Sequence, residues 1–378
     1  MDVVQLKVFT LAPYRILPAN TGGQLSIACM HNAIGRLCET HVISTANNVQ
    51  QHNYAFTLHP LLSEKPIHYA PFYKLNKLTK LARWVSATHI ICEHPYMAPT
   101  AIMLSRTLRI PWYLRSQNIE SLRFKTLGKP WWPVLYHYEC MAMQQATGVF
   151  FITPEDEAWA RQFYRVKPSR SHIIPYGTSL RNAPAPDVEA KQSIAGAFGL
   201  DVDAHWFYFL GVHSYMPNAD AVRYILTEVV PRLSASGMHF QVLIGGKGLS
   251  EALQQMIGQT NGAVRYFGFV DDLDTFIRAC DTMLNPVITG GGIKTKAIEA
   301  LAYNKTVVST RTGAAGILRE VCGDKLMLAG DGDWDEFARC CISAADRKGI
   351  IPPLFYSRYN WNAIGKKVAG IMTGRIEP

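Results

Sequence analysis

Glycines, lysines and a glutamate that together could hold an anion crowd into 286–302, PVITGGGIKTKAIEALA. Gly290, Gly291 and Gly292 carry no side chains, so a bulky ligand can approach the backbone there. A helix expected to begin near Ile293 offers unpaired N–H groups and the positive end of its dipole, which suits an anion such as a diphosphate. Lys294 and Lys296 then fall in the first turn, where a cation opposes the dipole unless an anion is bound. Glu299 lies one to two turns on, and its carboxylate can accept hydrogen bonds from a vicinal diol. The plainer reading is a glycine turn that lets a helix pack tightly on a sheet.

These groups need strands and helices to hold them. In the second half HWFYFLG, FQVLIGG, VRYFGFV, TMLNPV, TVVST and KLMLAG read as strands. Between them helices are expected over 219–236, capped by Asn218, and over 249–259 and 272–279. The first half alternates in the same way. Strands are expected at 6–13, 40–45, 88–95 and 110–117 and in GVFFIT; a helix over about 25–38 follows the loop Thr21-Gly22-Gly23-Gln24. Such alternation implies parallel sheets wrapped by helices, two doubly wound α/β domains. Arg181 to Asp187, RNAPAPD, has the composition of a linker. The expected division is 1–183 with about 355–378, and 188–350. Open α/β sheets bind ligands beyond the carboxyl ends of their strands. Glu93, His94, Gln117, Asn118 and Glu120 are therefore site candidates by position, and Gly22 and Gly23 stand where a ligand could meet a helix start.

Composition limits the remaining choices. A chain of 378 residues favours two cores, and 48% hydrophobic with 18% charged residues describes an ordinary globular protein. The net charge of +9 favours anionic partners. No zinc finger, RNA-binding aromatic signature or long basic run supports nucleic acid. No apolar run approaches a membrane span of about 20 residues, and no signal-peptide pattern opens the chain. Eight scattered cysteines without a CxxC pair point to a reducing, cytoplasmic compartment. The amphipathic segment 74–85 sets Lys74, Lys77, Lys80 and Arg83 beside Leu75, Leu78, Leu81 and Trp84. It reads first as a solvated face over a core stripe, and second as a contact with an anionic bilayer at the inner face of the membrane. Asp271 to Asp274, DDLD, reads as a helix cap rather than a metal site. There is no GxSxG elbow, and His94 has no evident partner in the sequence.

Taken in order, TGGQ, RSQNIES, IPYGTSL, GVHSYMPNADAVRYI, VLIGGKG, YFGFVDDLDTFI and PVITGGGIKTKAIEALA followed by TVVSTRTGAAGI resemble the family-4 retaining glycosyltransferases, over nearly the whole chain. That resemblance implies the GT-B fold: two Rossmann-like domains facing a cleft, with a C-terminal helix crossing back to the first. It implies a transferase that moves a sugar from a nucleotide-sugar to an acceptor hydroxyl, with retention and without a metal or other cofactor, in glycan or polysaccharide synthesis. By the same resemblance Glu299 holds the ribose hydroxyls. Gly290, Gly291, Gly292 and Ile293 approach the diphosphate or sugar, and Gly268, Phe269 and Val270 border the base. Lys247 is a second candidate cation. Gly22, Gly23, His94 and Glu120 lie on the acceptor or phosphate side, and Lys294, Asn118 and Gln117 are the catalytic candidates. The acceptor is expected to be a glycan, a lipid-linked sugar or a small molecule.

Three positions depart from the family pattern. Gly291 stands where a glutamate usually precedes the ribose glutamate, VHSYMPN replaces a loop that often carries an Arg/Lys pair, and Gln117 replaces a histidine before Asn118. Lys294 can supply the missing cation. A nucleoside diphosphate is a fair leaving group, so the main task is to stabilise its developing charge, leaving its own oxygen to act as base in a front-face attack. Two alternatives are a non-catalytic partner subunit that only binds nucleotide-sugar, and a GT-B epimerase.

Overall fold

The computed structural model describes residues 5–70, 72–185 and 187–375. Pro186 of the expected linker, and residues 1–4 and 376–378 of the expected first domain, lie outside them. The chain forms two compact units, 1–179 with 358–378, and 180–357.

The first unit is built on a seven-stranded parallel sheet in the order β3-β2-β1-β4-β5-β6-β7. Its strands are β1 Lys7–Leu11, β2 Glu39–Thr45, β3 Thr57–Leu62, β4 His89–Glu93, β5 Trp112–Ser116, β6 Gly148–Phe151 and β7 Ser171–Ile173. The central strands are buried almost throughout, as strands covered on both faces must be. Sequence reading missed β3, TLHPLL, because Pro60 argues against a central strand; β3 is an edge, where proline is tolerated. The helix after β1 spans Gly22–Gly35 and begins three residues before the expected start. Thr21 and Gln24 form a reciprocal capping box that satisfies the early N–H groups, and this offsets the low helix propensity of two glycines. The C-terminal Trp361–Met372 helix packs on Gly22–Gly35. Gly365 comes so close that a Cβ there would lie 2.9 Å from the Ala33 Cβ.

The second unit carries a six-stranded parallel sheet in the order β10-β9-β8-β11-β12-β13. These are β8 His205–Leu210, β9 Phe240–Gly245, β10 Val264–Gly268, β11 Thr282–Asn285, β12 Thr306–Thr310 and β13 Leu326–Ala329. The helix expected over 219–236 starts at Met216 and passes through a π turn, Ile225–Val229, before continuing to Ala235. Pro231 lacks the N–H that an unbroken α-helix would use, and the wider turn upstream accommodates this. Asn218 is therefore inside the first turn and not its cap; Tyr215 holds the cap position.

Candidate active site

In the second unit the glycine triplet follows β11, at the carboxyl edge of the sheet. Gly290 and Gly292 have φ of +86° and +72°, so both need the freedom of glycine. Gly291 does not, and a Cβ there would meet nothing within 4 Å. The helix behind them is Thr295–Ala302, two residues later than expected. This changes the placing of both lysines. Lys294 is the cap residue, and its amine turns back to donate to the carbonyls of Gly290, Gly291 and Gly292 at 3.0, 3.2 and 3.0 Å. Lys296 is half-buried and turned inward, donating to the Leu210 carbonyl at 3.0 Å and to Asn218 Oδ1 at 2.9 Å, 3.8 Å above the Phe209 ring. Neither pairs with a carboxylate among the described residues. Burial lowers the Lys294 amine to about 8, and burial with the neighbouring Lys294 charge lowers Lys296 to about 7.

Three loops complete this edge. Tyr215 Oη and Pro217 come within 3.2 and 3.3 Å of where a Gly290 Cβ would be, and Ser214 N lies 3.2 Å from where a Gly248 Cβ would be. Burial lowers the His213 ring to about 4, with Lys296 acting the same way, so it is neutral near pH 7. Its Nε2–H then donates to the Gly245 carbonyl at 3.1 Å, tying the loop after β8 to the end of β9. Lys247 lies 4.0 Å over the Phe269 ring, which is 58% exposed and free to meet a flat ligand. Gly268 has φ +64°, and Val270 packs against Gly245. Ile293 is half-buried beside them. Glu299 projects to solvent and makes no hydrogen bond or ion pair with the described residues, yet the protein packed around it still raises its carboxyl above the usual range by desolvation.

In DDLD, Asp272 caps the Leu273–Ala279 helix through the Thr275 N–H, and Asp274 binds Arg278 and the Tyr303 hydroxyl. Among the described residues no group of three metal-ligating side chains comes together.

In the first unit the strand-end candidates form two linked clusters. Glu93 is fully buried and bonds His31 Nε2 at 2.8 Å, Arg115 Nη1 at 3.3 Å and Gln117 Nε2 at 3.2 Å. Burial would raise its carboxyl, but the Arg115 guanidinium and His31 overcome this and bring it down to about 2. Gln117 thus orients a buried carboxylate, and its Oε1 lies 3.2 Å from where a Gly23 Cβ would be. The second cluster corrects the expectation of a partnerless histidine. His94, in a left-handed conformation at φ +63°, has Nε2 2.9 Å from the Tyr14 hydroxyl and Nδ1 3.5 Å from Glu120 Oε1. Glu120 is itself fully buried, holding Tyr96 and Arg123, so it positions His94 and does not face an acceptor. Asn118 is half-buried, and its side chain makes no hydrogen bond with the described residues. Beside Gly22 and Gly23 lies a cavity of about 380 Å³ lined by Tyr14, Arg15, Thr21, Gln24, Asn47 and Glu64.

Sequence reasoning missed Tyr14, Arg115 and His31, and with them the inward turn of Lys296 onto Asn218. Each acts through a partner 21 to 89 residues away, a separation no local pattern reports. Lys296 alone left a signal: i and i+2 lysines at a helix start cannot both face solvent in the same way.

Residues 204–347 match the family model described as glycosyl transferases group 1. That stretch is a glycosyltransferase domain. It contains the glycine triplet, both lysines, Glu299, Lys247 and the loop after β8. Solved structures share the fold of the whole chain. A glycosyltransferase from Rickettsia africae aligns at TM-score 0.73 and 11% identity, covering 98% of this chain and 99% of its own. HepE of Anabaena, in complex with UDP, aligns at TM-score 0.75 and 15% identity over 98% and 100%. Sucrose-phosphate synthase of Thermosynechococcus elongatus aligns at TM-score 0.68 and 14% identity over 97% and 98%. No curated protein matches the chain by sequence. The glycosyltransferase domain and the two parallel-sheet units bear out the resemblance to glycosyltransferases of the GT-B fold.

Proposed function

We propose that this protein transfers a sugar, with retention, from a nucleotide-sugar to an acceptor hydroxyl, using its glycosyltransferase domain to hold the donor. One observation carries the reading: at a single sheet edge, two part-buried lysines without carboxylate partners among the described residues follow a glycine loop, about one helical turn from Glu299, itself unpartnered among those residues. A diphosphate would supply the missing negative charge, and Glu299 would accept two ribose hydroxyls. The UDP in the HepE structure makes a uridine nucleotide the first donor to try. Loss of the diphosphate is assisted by the loop amides and by Lys294 and Lys296, whose positive charge grows in value as negative charge builds on the leaving oxygen. That same oxygen takes the acceptor proton in a front-face displacement, so no protein base or metal is required.

The first unit supplies the acceptor side in this reading, and the polar cavity near Gly22 and Gly23 suits a hydroxyl-rich molecule. Peripheral attachment to an anionic membrane belongs to the same proposal. The Leu75–Trp84 helix buries Leu78 and Ala82, but leaves Trp84 77% exposed beside Lys77, Lys80 and Arg83, with Phe72 at 74% just before it. Trp84 therefore does not join the core stripe expected of it, and an exposed aromatic among cations fits an interface. No helix among the described residues is long and apolar enough to cross a membrane.

The test is a panel of nucleotide-sugars screened by thermal shift, followed by donor hydrolysis and by product analysis with added EDTA. Stabilisation by one donor with slow release of its sugar supports a transferase. A donor that binds without turnover in any acceptor mixture leaves only the binding subunit.

A further inference from the structure

A second cavity, of about 650 Å³, lies in the 180–357 unit between the chain segments by which that unit begins and ends. Lys305 immediately precedes β12, and Arg278 lies near the end of the helix before β11. The cavity is thus at the amino-terminal edge of the sheet, whereas the glycine triplet leaves the carboxyl end of β11. With all strands parallel, these are opposite edges.

Its lining is charged in one sense. Arg181, Arg278, Lys305 and Lys348 face one acid, Asp187, and that acid is engaged as a helix cap on the Ala190 N–H. Arg278 is neutralised by Asp274 at 2.6 Å. The other three cations form no ion pair with any described residue; Lys305 donates only to the Arg278 carbonyl at 2.8 Å. Lys305 has a plainer role as a cation at a helix C-terminus, but Arg181 sits in the linker and caps no helix. The remaining wall is apolar and fixed. Ile350 is 75% exposed beside Pro353 and the Tyr303 ring, while Tyr356 donates to the Ala302 carbonyl at 2.7 Å and Asn304 accepts from the Ile351 N–H at 2.8 Å.

We propose that this cavity binds a phosphate-bearing molecule with a flat apolar body, at a site separate from the donor edge. Cations without an ion-pair partner among the described residues match a dianionic head, and exposed Ile350 and Pro353 with the half-buried Tyr303 ring match a ring.

The experiment is calorimetric titration of the full chain with 1-naphthyl phosphate, with inorganic phosphate and 1-naphthol as halves of the probe. Saturable one-to-one binding of naphthyl phosphate is expected, at least tenfold tighter than either half and unaffected by saturating UDP. The double variant R181E/K348E, both positions exposed, should melt as the parent does and bind at least tenfold more weakly. Absence of saturable binding at millimolar probe, equal affinity in the variant, equal affinity for inorganic phosphate, or displacement by UDP each overturns the proposal. Failure of UDP to bind at all would count against the donor site and leave this result standing.

Discussion

Asn218 Oδ1 accepts a hydrogen bond from the Lys296 amine at 2.9 Å, joining the first turn of one helix to that of another 78 residues away. The Asn218 Nδ2 in turn donates to the Val212 carbonyl at 2.9 Å, so the side chain clamps the loop after β8. A cation held in this way stands at the carboxyl end of β8, where the sequence shows no Arg/Lys pair in the loop itself. Lys296→Met should lower nucleotide affinity and turnover together, by at least tenfold each. Asn218→Ala should do the same more weakly, by loosening the amine. Kinetics in which K296M equals the parent would return the role to Lys294 or Lys247.

Lys294 has a different signature. Its amine satisfies three carbonyls of the glycine loop, so Lys294→Ala removes a structural staple as well as a charge. Turnover should fall more than KM rises, and the loop should become easier to cut by protease in the absence of nucleotide. Normal turnover with an intact loop would exclude it from the mechanism.

Both lysines make stability and binding depend on pH with a fixed sign. Their ordinary value is about 10.5, and in the folded chain they lie at about 8 and about 7. Between those folded values and 10.5 the unfolded chain carries more protons, so these groups make stability rise with pH across that window. Below about 7 both states are protonated, and the dependence from these groups vanishes. A diphosphate favours the charged amines, so nucleotide binding at pH 8 should take up protons. Calorimetry in two buffers of different ionisation enthalpy measures this, and zero uptake would contradict an anion seated at the lysines.

Glu299→Ala should weaken nucleotide binding by about 2–4 kcal/mol, the loss of two charge-assisted hydrogen bonds. Because the carboxylate has no hydrogen-bond or ion-pair partner among the described residues, the melting temperature of the free chain should stay within a degree or two. Unchanged affinity would remove Glu299 from the donor site.

Two glycines should respond in opposite ways. Gly246 has φ +127°, and a Cβ would lie 1.7 Å from the Gly211 carbonyl oxygen, so Gly246→Ala should cost about 3–5 kcal/mol in strain and overpacking. Gly291 faces open space, and Gly291→Ala should stay within about 0.5 kcal/mol. Gly291→Glu should fold equally well and raise affinity for nucleotide-sugar relative to UDP alone. Denaturant titration ranks the alanine variants; a destabilised G291A would show that the loop is tighter than this geometry.

The contrast between these positions explains what was legible in the sequence. Alternating strands and helices follow from local periodicity, and the glycine triplet and Glu299 sit in one continuous segment. The resemblance to glycosyltransferases was carried by such segments in order. What stayed hidden was long-range. Nothing near His94 announces Tyr14, 80 residues earlier, and nothing near Glu93 announces His31. Helix starts slipped by two or three residues where capping decided them: Thr21 with Gln24 drew one forward, and Lys294, engaged with the glycine carbonyls, held another back. Trp84 failed its expected burial because its helix, only ten residues long, buries a narrow stripe.

The return of the Trp361–Met372 helix onto Gly22–Gly35 also sets an order of events during synthesis. The 180–357 unit is one uninterrupted stretch and can close as soon as it clears the ribosome. The unit made first must wait for its last piece until that whole stretch has been translated, about 10–35 s at usual elongation rates. During this interval the helix 22–35 surface around Ala33 that receives Gly365 is uncovered. The half of the protein that is born first is therefore the half that finishes last, and a released chain truncated after Ser357 should present a protease-sensitive amino-terminal half beside a resistant second one.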